Sequence, residues 1–381
     1  MKLLYLFRTL FVVTLLLAAL TTQAQHPDSY RDDELLNLLI KKNVLSQKEA
    51  DSLRAELAVK QQAKKDKENQ HGITIGSRAL QISGLLQTEY EGFEQTGVTN
   101  TFLLHRARLD VKGDINDNWN YEVYTEFAAT TKLLDAYTTY KIADWLKFTA
   151  GQFKVPFSLE SLIADSQLEF IDRTQVVNAL AGRSTDVIGN QNGRDIGIQV
   201  NGSFAKLDDH YLFDYTFGVF NGAGYDVTTD NNNRKDITGR FTVHPVKNLS
   251  ISGNFYNGVG FYGTPAKNQK RNRGGFDARY VAGGLSLQAE YDKGTDGAVK
   301  RDGWYAQAAF FVLPKTLELA ARYDTYDPNK IVKTVHAQIY TGGINYFFNP
   351  WARLSIDYLA RHEEATQIKN DVFEAQLQLT F

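Results

Sequence analysis

The sequence predicts an all-β fold: a transmembrane antiparallel β-barrel of about sixteen strands, preceded by a short helical segment. Strict two-residue alternation, connections that switch between short turns and long loops, and an export-type N-terminus carry this prediction. The alternation is clearest at the C-terminus. Phe373, Ala375, Leu377, Leu379 and Phe381 are apolar, and Glu374, Gln376, Gln378 and Thr380 between them are polar. Such a strand turns one face to lipid and the other to water. Leu354, Ile356, Tyr358 and Ala360 alternate in the same way with Arg353, Ser355, Asp357 and Arg361. So do Leu317, Leu319, Ala321 and Tyr323 with Glu318, Ala320, Arg322 and Asp324, and Ala107, Leu109 and Val111 with Arg106, Arg108, Asp110 and Lys112.

A soluble sandwich also alternates, so other features must decide. Aromatic residues make up 12% of the chain and gather towards strand ends, as membrane girdles do. Short connections fall at 115–118, 206–210, 246–248, 314–316 and Pro350, with longer polar ones between them. After residue 20 no apolar run reaches the roughly 18 residues of a membrane helix, which excludes a helical polytopic protein and leaves a barrel open. Strands are expected at 79–94, 101–113, 119–130, 132–142, 145–157, 195–205, 211–222, 237–244, 249–262, 275–283, 285–293, 303–313, 317–326, 337–348, 353–363 and 371–381.

Composition excludes several functions. Lys plus Arg is 42 against 44 Asp plus Glu, a net charge of −2, without the basic surplus of a nucleic-acid binder. There is no Cys, hence no thiol catalysis, disulfide or cysteine zinc site. The seven His (His26, His71, His105, His210, His244, His336, His362) are scattered, and no GxSxG, HExxH or P-loop occurs. No enzyme activity, cofactor or metal is expected.

The chain divides in three. Residues 1–24 read as a signal peptide: Lys2 and Arg8, an apolar run from Leu10 to Leu20, and cleavage after Thr22-Gln23-Ala24. Residues 25–70 read as a periplasmic helical segment. Ser46-Gln47-Lys48-Glu49 has capping-box form, followed by Ala50, Leu53 and Leu57 at helical spacing. A hairpin this small needs a partner or serves as a spacer. Residues 71–381 form the barrel, and 158–194, without a strand pair, is expected to fold into the lumen as a constriction.

Several motifs resemble the phosphate-selective porin O/P family: Phe102 to Gly113 (FLLHRARLDVKG), Leu134 to Tyr137, Gly151 to Glu160 (GQFKVPFSLE), Phe170 to Arg173, Gly193 to Gly197, Gly218 to Gly222, Leu317 to Tyr323 and Gly342 to Tyr346. The ordered set spans 79–381. The resemblance implies a trimeric sixteen-stranded porin of the bacterial outer membrane, its partners the membrane lipid and small anions such as phosphate, passed by lumenal Arg and Lys.

Strand parity puts Arg106, Arg108, Lys112, Arg240, Arg279, Arg322, Arg353 and Arg361 on the lumen face. Arg173, Arg183 and Arg194 are assigned to the constriction loop, and Lys154 to its start. Lys267, Lys270, Arg271 and Arg273 are expected in a long loop at the outer mouth. Arg suits phosphate because its planar fork donates two parallel hydrogen bonds. Against this stand the lumenal acids Asp110, Glu122, Glu126, Asp277, Glu318, Asp324, Asp357 and Glu374. These could neutralise the arginines and leave a weakly selective general porin. A structural barrel tethered through its helical segment is a further alternative. A sugar channel with an aromatic slide is disfavoured, because most aromatics fall on the lipid parity.

Overall fold

A computed structural model describes residues 80–332, 336–364 and 366–381, together with Ile73–Thr74 and Lys42. Apart from Lys42, the expected signal peptide (1–24) and helical segment (25–70) lie outside the described residues. His26 and His71 do so as well.

One sheet holds seventeen strands, the first being the two-residue Ile73–Thr74 paired with Ile82 and Gln81. The other sixteen make the barrel. They are β1 (Gln81–Phe93), β2 (Thr101–Asp114), β3 (Trp119–Glu126), β4 (Lys132–Ala143), β5 (Leu146–Lys154), β6 (Arg194–Lys206), β7 (Tyr211–Phe220) and β8 (Asp236–Val246). They continue as β9 (Leu249–Tyr262), β10 (Lys267–Ala282), β11 (Leu285–Asp296), β12 (Val299–Leu313), β13 (Leu317–Asp327), β14 (Ala337–Asn349), β15 (Ala352–Glu363) and β16 (Val372–Thr380). Each pairs antiparallel with the next, and β16 returns to β1 from Val372↔Phe93 to Thr380↔Leu85. The closed sheet therefore has no free edge in the membrane. At the seam Gly84 N–H donates to the Phe381 carbonyl at 2.7 Å, and the Phe381 ring fills the space a Cβ on Gly84 would need.

Burial is inverted relative to a soluble protein. Phe276, Trp304, Leu319, Ile344 and Leu377 are exposed, whereas Glu318, Asp324, Asp357, Glu374 and Gln376 are buried. That pattern is the mark of a barrel with lipid outside and a polar interior. Short turns (115–118, 144–145, 207–210, 247–248, 283–284, 314–316, 350–351) and Phe381 share one end, and the long loops share the other. In outer-membrane barrels these are the periplasmic and outer ends respectively.

The longest connection, 155–193, carries helices α1 (Leu159–Leu162) and α2 (Gln175–Leu180) with a 3₁₀ turn at Asp165–Gln167 between them. It folds into the lumen. Val176, Val177 and Leu180 of α2 are buried with Phe157, Tyr256 of β9, Tyr305 of β12 and Tyr326 of β13. Burying such side chains is worth about 1.5–3 kcal/mol each and helps to hold the loop in the lumen.

Two sequence expectations are corrected. Strand β10 begins at Lys267, not 275, so Lys267, Lys270, Arg271 and Arg273 stand on a strand and not in a loop. Arg194 opens β6, paired with Lys154, and is not part of the loop.

Gly151 sits at φ +134, and a Cβ there would collide with the Ala136 carbonyl oxygen and lie 2.7 Å from Tyr137 Cα. Gly151→Val is expected to cost about 3 kcal/mol from backbone strain and overpacking. The drop would be read as a lower urea midpoint for the heat-modifiable folded band.

Candidate functional site

The lumenal loop divides the interior. Its backbone is tied mainly to one half of the wall. Glu290 of β11 accepts the N–H groups of Leu159 at 2.8 Å and Glu160 at 3.1 Å, and Asp324 of β13 accepts that of Gln175 at 2.8 Å. Wall carboxylates thus cap the first residues of both helices, where free N–H groups favour negative charge. Asp357 of β15 accepts the Ile171 N–H at 2.7 Å. Arginines bind the loop carbonyls: Arg322 that of Asp172 at 2.8 Å, Arg353 that of Leu168 at 2.9 Å. Loop side chains join in. Glu169 meets Arg279 at 3.4 Å, Ser286 at 2.8 Å and Gln307 at 3.1 Å. Asp186 meets Arg271 at 2.8 Å and Arg273 at 3.5 Å. Burial opposes the charge of Asp186, but these two guanidiniums outweigh it and hold its carboxyl at about 2.

The other half, β2 to β6, together with the short-turn ends of β1, β14, β15 and β16, lines a chamber of about 790 Å³ that runs from Asp165–Gln167 to Pro350, Trp351 and Phe381. Asp165 is its electrostatic hub. It receives Arg108, Arg173 at 2.7 Å and Arg106 at 3.5 Å. Burial penalises its charge, yet the surrounding guanidiniums of Arg106, Arg108 and Arg173 hold it well below the usual carboxylate range. Arg108 also donates to Glu126 at 2.6 Å, and Arg194 makes a two-pronged contact with Asp135 at 2.9 and 2.6 Å. The Tyr124 ring lies 5.6 Å from one guanidinium and 6.0 Å from the other. Both guanidiniums are thus within cation–π reach of one ring.

Two buried cations have neutral partners. Lys154 Nζ donates to the carbonyls of Leu162 at 3.0 Å and Ile163 at 2.9 Å. Arg183 donates to the Ser161 hydroxyl at 3.1 Å and carbonyl at 2.9 Å. The backbone at the end of α1 thus accepts from both side chains.

The predicted residues separate accordingly. Arg106, Arg108, Arg173 and Arg183 surround Asp165, Lys154 lies near it, and Arg194 turns to Asp135 in the same chamber. Arg279, Arg322 and Arg353 are on the lumen face as parity requires, but they act as loop anchors. Arg240 is neutralised by Asp277 through two contacts of 2.7 Å. Lys112 pairs with Asp110 at 3.0 Å and stays half exposed in the chamber. Arg361 is half-buried, its N–H on Asp371 at 2.9 Å. Sequence reading missed Lys147, which lines the chamber with Thr149. Its alternation with Phe148 and Ala150 was the available signal. It also missed Tyr124, Tyr137 and Phe153, aromatic residues that face the chamber against the general lipid parity.

A closed sixteen-strand barrel with an inward-folded loop and a charged interior is the architecture of a porin. The family model for phosphate-selective porin O and P matches residues 81–381, and the chain belongs to that family. It is an outer-membrane porin of the bacterial outer membrane, a channel by family and fold. No curated relative matches the sequence. Among solved structures, the anion-selective porin from Comamonas acidovorans is similar, with TM-score 0.57 at 15% identity over 80% of this chain and 99% of that one. The outer membrane channel DcaP of Acinetobacter baumannii gives TM-score 0.58 at 13% identity over 82% and 100%. The trimer form of OmpT from Vibrio cholerae gives 0.56 at 15% over 79% and 99%.

Proposed function

We propose that the pore passes small anions by diffusion in preference to cations, along the β2–β6 side, and that phosphate is among them. One observation carries this. The chamber is lined by six cations (Arg108, Lys112, Lys147, Lys154, Arg194, Arg353) against four carboxylates (Asp110, Glu122, Asp135, Asp165). Two of those carboxylates, Asp135 and Asp165, are engaged by guanidiniums, and a cationic wall raises the local anion concentration. The likeness to a structure titled anion-selective supports the reading. A weakly selective porin is the second reading, favoured by the neutralised Arg240–Asp277 pair. A homotrimer is proposed with it, supported by the likeness to a trimeric structure. Residues 1–24 would direct export, and 25–70 would stay in the periplasm as a helical spacer or contact segment.

The test is a planar-bilayer recording across a salt gradient. The expected reversal potential has the anion sign, and phosphate reduces the chloride current. Lys147→Gln is expected to lower the anion-to-cation permeability ratio roughly fourfold, because a unit charge about 10 Å away in water contributes about 0.4 kcal/mol of attraction for the anion and as much repulsion for the cation. A cation-sign potential in the unmodified protein would overturn the reading.

A further inference from the structure

The outward face of β10, β11 and β12 carries charge that the pore does not use. Strand register orders this face in rows. Ala278, Ala289 and Ala306 are cross-strand neighbours, and the next row towards the outer end is Phe276, Tyr291 and Trp304. Above that aromatic row stand Gly274, Lys293 and Asp302, then Asn272, Thr295 and Lys300. Lys270 projects on the same face of β10, beside Val259 of β9. Lys270, Lys293 and Lys300 are exposed. Two carboxylates stand beside them, Asp302 and its cross-strand neighbour Asp327, and Lys330 meets both, at 3.0 and 3.5 Å, which leaves four lysines against two carboxylates. The patch is therefore positive, and it starts one residue pair above the aromatic girdle, at the height of the lipid headgroups.

Below the girdle, the same strands are hollowed. An apolar groove of about 820 Å³ crosses their membrane face, floored by Ala278, Ala289, Ala306, Ala308 and Ala321, with Tyr323 and Tyr340 at its side. Alanine leaves space where the flanking rows carry Phe, Leu or Trp. Groove, aromatic row and lysines thus follow one another from the membrane interior outward.

We infer that this face binds an outer-leaflet lipid with a phosphorylated sugar headgroup, its acyl chains in the alanine groove and its phosphates on Lys270, Lys293 and Lys300. Charge complementarity selects the headgroup, because ammonium groups above an aromatic belt meet anionic lipid phosphates. Shape selects the chains, because the alanine-floored groove lies below the aromatic row, at the depth of the hydrocarbon. The aromatic row offers flat rings against which a sugar ring stacks.

The test uses the full-length porin purified from outer membranes in detergent and stripped of lipid. Purified bisphosphorylated lipid A and the same lipid with its phosphates removed are then titrated and read by native mass spectrometry. The phosphorylated lipid is expected to bind at least tenfold more tightly. K270Q/K293Q/K300Q is expected to weaken it on the order of a hundredfold, since each lysine near an anionic lipid contributes about a factor of five. Ala306→Trp, which fills the groove, is expected to weaken both lipids. Unchanged single-channel conductance of the triple variant verifies its fold. Equal binding of the two lipids, or unchanged binding by the triple variant, overturns the inference. So does a change of oligomeric state in the triple variant with lipid binding intact, which would assign the face to a second copy of the chain.

Discussion

Replacing residues 159–191 with a short Gly-Ser turn is expected to raise single-channel conductance about twofold and to strengthen anion preference. The first effect follows from area. The loop is packed or bonded against β9 to β16, half of the circumference. A sixteen-stranded barrel freed of it has an aqueous channel across its whole section. The second effect follows from charge. The deleted segment holds five carboxylates (Glu160, Asp165, Glu169, Asp172, Asp186) and two arginines (Arg173, Arg183), a net charge of −3. Its removal also releases four wall cations, Arg279, Arg322, Arg353 and Lys154, from loop oxygens, against three wall carboxylates, Glu290, Asp324 and Asp357, released from loop N–H groups. The constriction is thus an acidic loop held against a wall of mixed charge, narrowing the pore and tempering the field of its cations. A bilayer recording reads both quantities at once. Unchanged conductance would mean that ions already bypass the loop.

The strands were legible because lipid imposes a rule on every second residue. In β16 and β15 nothing interrupts it, and the expected bounds lie close to those observed. The rule lapses where the wall rises out of the hydrocarbon. At the outer end of β10 the outward positions are Asn268, Lys270, Asn272 and Gly274, and the inward ones are Gln269, Arg271, Arg273 and Gly275. With both faces polar, no periodicity remains, and the segment reads as a loop. The ends of β11 at Gly294–Asp296 and of β12 at Val299–Asp302 were lost for the same reason.

The site was legible only as a list of lumen-facing cations. What each cation does depends on partners far away in sequence. Arg108 and Asp165 are 57 residues apart, and Arg353 meets Leu168 across 185. No spacing rule reaches so far. Parity could place Arg322 and Arg353 on the right face, but it could not separate an anchor from a lining residue. That distinction lies in the path of the loop, set by tertiary packing of α2 against Tyr256, Tyr305 and Tyr326.

Asp165→Asn is expected to weaken the docking of the loop by about 3 kcal/mol, the cost of removing one partner from a buried ionic cluster. The side chain is almost wholly buried, and Arg106, Arg108 and Arg173 all turn towards it. Glu126 would still serve Arg108, and the Glu160 and Ile163 carbonyls would still serve Arg173. The excess positive charge would have no carboxylate left at its centre. Limited proteolysis reads the docking, with faster cleavage within 155–193 in the variant. Added phosphate is expected to slow that cleavage again, because a free anion can occupy the place of the lost carboxylate among three guanidiniums. The pH dependence has a definite sign. The folded-state pKa of Asp165 is depressed well below its ordinary value. Its contribution is therefore complete above the unfolded value near 4 and is lost only as the pH falls through the depressed one. The unmodified loop should thus stay protected through mildly acidic pH, whereas the variant is already loosened at pH 7. Rescue by phosphate but not by a bulky organic anion would show that the centre of this cluster admits an ion the size of phosphate. Absence of rescue, with cleavage still accelerated, would show that the cluster fixes the loop without exchanging anions with the pore.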